Sequence, residues 1–256
     1  MRQICSALEI GDAAAFIRTT FGTILKAAEM QGLIPSNPVF KTKLPRRGPI
    51  AEKAPIAPEK VRALLEALPE PSRSLASLLA LTGLRIGEML AVRWRDVDFE
   101  SGCIRVRQAV YEGRFDDPKT RSSRRTVPLG VLGMEILKGR KPEVCDPESL
   151  VFAARNGSPL CRRNLLKRQL KPTCEKLGLE GVTWHWLRHA TTTLLDSAGA
   201  SLGTMKVLLG HSSAEVTRDI YLHSVSADAR DAVLKMEKLI GLNWTQVPNM
   251  AEQATA

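Results

Sequence analysis

Between Thr183 and Tyr221 the chain concentrates side chains that can act on a phosphate: His185, Arg188 and His189 close together, His211 in a Leu-Gly-His string, and Tyr221 ten residues beyond it. Apolar Leu187, Ala190, Leu194 and Ala198 recur at helical spacing, which places His185, Arg188 and His189 together on another face of the same helix. The pattern breaks at Gly199 and resumes after Ser201, a residue of N-cap type, through Val207, Leu208 and Leu209 to a stop at Gly210. Ser212 and Glu215 form an S-x-x-E capping box that starts another helix, and this one carries Tyr221. Three short helices with tight turns thus gather two imidazoles, a guanidinium and a phenol. Such a set suits phosphate chemistry, since a guanidinium offers a planar fork to phosphate oxygens.

The elements that must hold this group come earlier in the chain. Residues 8–31 read as a helix whose apolar positions (Ala14, Ile17, Phe21, Ile24, Leu25, Ala28) need a partner surface, and Gly32 and Pro35 stop it. From Lys41 to Pro58 there are four prolines, three lysines and two arginines against a single acid, a linker composition that also suits a strand lying along phosphates. Helices are expected at 58–68, 72–81 and 84–92, a half-exposed strand at 103–110, and helices at 131–139, 162–177 and 226–240. Arg124–Leu129 is expected to pair as a hairpin with a segment near Phe115, and Lys119 to Arg125 carries four positive charges and no acid. On the helix at 162–177, Arg163, Lys167 and Lys171 form an i, i+4, i+8 stripe that is either a solvated face or a DNA-backbone contact.

Composition narrows the classes. Lys and Arg total 37 against 27 Asp and Glu, a net charge of +10, which favours an anionic partner such as nucleic acid. No apolar run approaches the ~20 residues that span a bilayer, and no signal-peptide core stands at the N-terminus. The five cysteines are scattered without C-x-x-C spacing, which reads as free thiols in a reducing cytoplasm. There is no Walker or dinucleotide glycine motif, so no cofactor is expected. His185 and His189 stand at i, i+4, but Arg188 between them would repel a dication and no third ligand has suitable spacing, which argues against zinc.

Thr82-Gly-Leu-Arg-Ile-Gly-Glu88 supplies a further arginine where an apolar helix breaks at Gly83. Taken singly, Arg85 reads as a surface partner of Glu88, His185 as a hydrogen-bonded core histidine and Tyr221 as a half-buried aromatic. As a set, T-G-L-R-x-G-E, then H-x-L-R-H about 100 residues later, then L-G-H and a tyrosine, resembles the tyrosine recombinases of the phage-integrase family, from about Pro58 to about Leu239. The resemblance implies a mainly α fold with a small antiparallel β-sheet, Arg85 and Lys119 as the first arginine and the hairpin lysine, His185 and Arg188 as the H-x-x-R pair, His211 as the second imidazole and Tyr221 as the nucleophile. Trp186 departs from the small residue usual after the first histidine, and His189 fits the string in a structural role.

The chemistry of these groups agrees. A phosphodiester under attack gathers charge on its non-bridging oxygens, which two arginines and His211 can bind. Tyr221 has an ordinary pKa near ~10, leaving roughly 0.1 % phenolate at neutral pH, so it needs a base, and His185 is the candidate. Lys119 is the candidate proton donor to the leaving 5′-oxygen, with Arg121 and Arg124 nearby. The expected architecture is a remnant of an N-terminal helical DNA-binding domain (1–45), a linker (46–57), a catalytic domain (58–241) and a tail (242–256). The expected activity is site-specific cleavage and rejoining of double-stranded DNA through a covalent 3′-phosphotyrosine, by a tetramer on DNA. A DNA-binding protein of this fold without turnover, and a type IB topoisomerase, are the competing readings. The helix at 226–240 is expected either to dock on a neighbouring protomer or to fold back onto its own domain.

Overall fold

A computed structural model describes residues 11–42, 44, 56–116, 124–210 and 227–242. Contacts divide the chain into two compact units, Met1–Ala54 and Pro55–Ala256. In the first, helix α1 (Gly11–Met30) is followed by a one-turn 3-10 helix (Pro38–Lys41). Asn37 ties the two together: its Oδ1 accepts from the Val39 N–H at 3.0 Å and its Nδ2 donates to Gly22 O at 2.9 Å. Phe21 and Ile24, expected to need a partner, are exposed, as are Phe16 and Met30.

The second unit is mainly α with small antiparallel sheets, as the sequence predicts. Its elements are α2 (Pro58–Ala67), α3 (Ser72–Thr82), α4 (Ile86–Leu90), β1 (Val97–Asp98), β2 (Cys103–Val106), β3 (Ala109–Tyr111), β4 (Arg114–Asp116), β5 (Arg125–Pro128) and α5 (Val131–Arg140). There follow α6 (Arg162–Leu165), a π-turn (Leu166–Leu170), α7 (Lys171–Lys176), α8 (Trp184–Ser197), α9 (Leu202–Leu209) and α10 (Ala227–Ile240). The core is built around α3. Leu75, Ala76, Leu78, Leu79 and Ala80 are fully buried, so this helix has no solvent face, and α2, α5, α8 and α10 pack on it. The hydroxyl of Thr191 on α8 donates to Ala80 O of α3 at 2.9 Å, a buried polar tie that fixes α8 against the central helix.

The strands differ from expectation. The alternating stretch 103–110 is cut at Arg107–Gln108, which carry the chain from one sheet to the other. β5 pairs antiparallel with β2, setting Ile104 opposite Val127, while the segment near Phe115 pairs with β3. Burial decides this: Ile104 and Val127 are both fully buried, and pairing them places both in the core. The helix expected at 162–177 contains a π-turn, with the Lys171 N–H donating to Leu166 O. Pro172 accounts for it, since its ring would clash with the carbonyl four residues back in a regular α-helix.

Helix α10 folds back onto its own unit. Ala229, Ala232, Val233, Met236 and Ile240 are buried, whereas Leu234 and Leu239 remain 40% and 41% exposed. Its Glu237 carboxylate accepts the N–H groups of Leu132 at 3.3 Å and Gly133 at 3.1 Å, capping the N-terminus of α5. No helix among the described residues is long and apolar enough to cross a membrane.

Candidate active site

The site begins where α3 ends. Gly83 adopts φ 64 as the left-handed cap, and a Cβ there would also strike Leu209. Leu84 is buried, Arg85 turns outward, and α4 starts at once. Arg85 donates its backbone N–H and its Nη1 to the two oxygens of Glu88, each at 2.9 Å. The pair expected between Arg85 and Glu88 therefore forms, but it is no surface pair, because the Glu88 side chain is only 6% exposed while that of Arg85 is 48% exposed.

A buried carboxylate requires more than one half-exposed partner. Arg125, the first residue of β5, supplies the rest: Nη2 and Nη1 reach the Glu88 oxygens at 2.9 and 3.2 Å, and Nε donates to Leu208 O near the end of α9 at 3.1 Å. Burial alone would push the Glu88 carboxyl upward. The hydrogen bonds and charge of Arg125, then of Arg85, outweigh it and hold the carboxyl below the ordinary glutamate value.

Helix α8 brings the next groups, with Thr183 accepting the Trp186 N–H as its N-cap and the Trp184 indole donating to Arg162 O at 3.0 Å. Here the face expected from periodicity divides. His185 and His189 are exposed, but Arg188 is only 4% exposed and is drawn inward. Two carbonyls at helix ends draw it: Nη1 donates to Gly83 O and Nη2 to Leu209 O, the positions where the helix dipole favours a cation. Burial, followed by the charges of Arg85 and Arg125, lowers Arg188 to about 10, with Glu88 partly offsetting them, so it stays charged at neutral pH. Burial, then His189, Arg188 and Arg85, also lowers His185 below the ordinary histidine value. The two imidazoles meet edge to face at 4.6 Å.

Of the six candidate residues, Arg85, His185 and Arg188 are thus brought to one turn. Lys119, His211, Tyr221 and the capping box at Ser212 and Glu215 lie outside the described residues. Sequence reasoning missed two members of this group: Glu88, read as a surface partner, and Arg125, read as one charge in a basic run. The buried neighbours Met89 and Leu90 were the one hint for Glu88. Three guanidinium groups against one carboxylate leave the turn cationic and ready for an oxyanion. Farther along, Arg163, Lys167 and Lys171 are all exposed while Leu170 is buried, so the basic stripe faces solvent. Arg162 lies over the Tyr111 ring at 4.5 Å. Among the described residues, no group of three or more His, Cys, Asp or Glu could hold a metal ion.

Residues 55–227 match the model of the phage integrase family. The chain belongs to the phage integrase family. The matched segment takes in the Gly83 turn, the Arg125 strand, α8 and α9, together with the positions of Lys119, His211 and Tyr221. A "tyrosine recombinase XerC-like" protein of Caldanaerobacter subterraneus subsp. tengcongensis is 30% identical over 249 residues, covering 85% of this chain and 63% of that protein. The chain therefore spans less than two thirds of that relative's length. Among solved members of similar fold, the Tn1549 transposon integrase in complex with a circular intermediate DNA superposes with a TM-score of 0.64 at 23% identity, covering 88% of this chain and 78% of that one. A lambda integrase tetramer bound to a Holliday junction gives 0.62 at 20% identity, over 86% of this chain and 65% of that one.

Proposed function

We propose that this chain is a site-specific DNA recombinase that cleaves and rejoins double-stranded DNA through a 3′-phosphotyrosine. The observation that carries the reading is the convergence of Arg85 and Arg188 on the Gly83 turn, with His185 on the same helix as Arg188 and biased toward its neutral form. The Tyr221 oxygen attacks the scissile phosphorus as its proton passes to His185. The two arginines and His211 hold the non-bridging oxygens as charge builds there. The bond to the 5′-oxygen breaks, and Lys119 supplies the proton that this oxygen takes up. The phosphotyrosine conserves the ester bond's free energy, so a second 5′-hydroxyl reverses the attack and rejoins the strands. The exposed stripe of Arg163, Lys167 and Lys171 suits contact with the duplex backbone. The DNA complexes of similar integrases support DNA as partner, and the lambda integrase tetramer supports assembly as a tetramer on DNA.

A duplex nicked just beyond the scissile phosphate, which traps the intermediate, tests this directly. The parent protein is expected to form a covalent adduct that migrates slowly in denaturing gels, and Tyr221→Phe to form none. Duplex binding without any adduct, across attachment-site sequences flanking the gene, would favour the binding-only reading.

A further inference from the structure

We infer that Arg125 is a positioning residue for strand cleavage, a strut that sets the Arg85 guanidinium and the end of α9 at the same time. The inference rests on the recombinase reading above. Three observations carry it. First, the guanidinium is committed to protein partners from two other elements: two nitrogens on Glu88 of α4 and Nε on Leu208 O of α9, with the side chain only 7% exposed. Second, Glu88 is the same carboxylate that receives the Arg85 Nη1, so Arg85 is aimed through Arg125. Third, Gly210 lies against the Arg125 guanidinium, where a Cβ would come within 2.9 Å of Nη1, and Gly210 itself adopts φ 62. The last residue before His211 is thus shaped to let this side chain pass.

The position in sequence gives the strut its reach. Arg125 is the first residue of β5 after the segment holding Lys119, and Leu208 is three residues before His211. A single planar group therefore fastens the described ends of the two segments that carry Lys119 and His211 to the helix that aims Arg85. Lysine cannot replace it, because one ammonium cannot span a carboxylate and a carbonyl with the same fixed fork.

Removing Arg125 alone would leave the buried Glu88 with only the half-exposed Arg85 as its partner, which by itself can unfold the chain. The decisive variant is therefore Arg125→Met combined with Glu88→Gln, which discharges both partners. It is expected to melt within a few degrees of the parent and to bind a cognate duplex within about threefold. With the nicked duplex at saturation, it is expected to form the adduct at least about 30-fold more slowly, as is Arg125→Lys. Amide exchange, read in the absence of DNA, is expected to show weaker protection over 202–210 in both variants. Cleavage by the double variant within about threefold of the parent, or unchanged exchange over 202–210, overturns the strut. A parent protein that forms no adduct while the exchange change is seen sinks the recombinase reading and the catalytic role with it, yet leaves the three-element junction standing. The two failures are thereby told apart.

Discussion

At the scale of single residues, burial and then neighbouring charge set the protonation states of the site. His185 is lowered by burial and then by His189, Arg188 and Arg85, so it is neutral at neutral pH, as the proposed base must be. The acid limb of the cleavage rate is therefore expected below about pH 6.5, the ordinary histidine value. His189→Ala removes one of the groups that lower His185, so the limb should move toward higher pH; a pH profile of adduct formation in both proteins checks the direction. Glu88 is held below its ordinary value by Arg125 and then by Arg85, which outweigh its burial. Its pKa in the folded chain lies below the ordinary 4.5, so the stability it contributes is fully present above that value and is lost as pH falls through the lower folded one. Arg85→Ala should slow cleavage by about 10²–10³-fold, the usual effect of deleting one oxyanion donor, while leaving the fold intact, because its side chain is half exposed.

At the scale of elements, the T-G-L-R-I-G-E string acquires a reason for its second glycine. A Cβ on Gly87 would sit 2.6 Å from Val110 O, a backbone atom of β3 that cannot swing aside. Gly87→Ala is expected to cost about 1–3 kcal/mol by overpacking, and a lowered melting temperature with a displaced β3–β4 hairpin would show it. The helices were largely legible in the sequence because their signals are local: Ser201 accepts the Thr204 N–H at 3.1 Å and Gly210 closes α9 in the left-handed region, both as their residue types demand. The strands were not. Which partner Arg124–Leu129 takes depends on which face meets the core, and alternation alone carries no partner. For the same reason Arg188 escaped its expected face: 3.6-residue periodicity gives an angle around the helix, while the carbonyls of Gly83 and Leu209 that pull it inward come from two other elements. Glu88 and Arg125 were invisible as a pair because 37 residues separate them.

At the scale of the whole molecule, charge and fold separate cleanly. The net charge of +10 is an average, but the exposed Arg163, Lys167 and Lys171 are a surface. Replacing all three with alanine should weaken duplex binding in a sequence-independent way. It should also reduce the slope of log K against log salt by about 0.9 for each phosphate no longer neutralised. Binding titrations at several salt concentrations read both effects, and an unchanged slope would remove this helix from the interface. The Leu234 and Leu239 positions on α10 remain partly exposed after the helix has packed on its own unit.

Arg188 is a rivet, whatever it does for the proposed reaction. With its two terminal nitrogens on the carbonyls of Gly83 and Leu209, it joins the ends of two helices before any DNA arrives. Under the recombinase reading, a lineage that abandoned strand exchange could not shed Arg188 without finding another way to staple α3 to α9. Decay of the proposed activity should therefore spare this guanidinium, leaving inert descendants that still carry the mark of that chemistry.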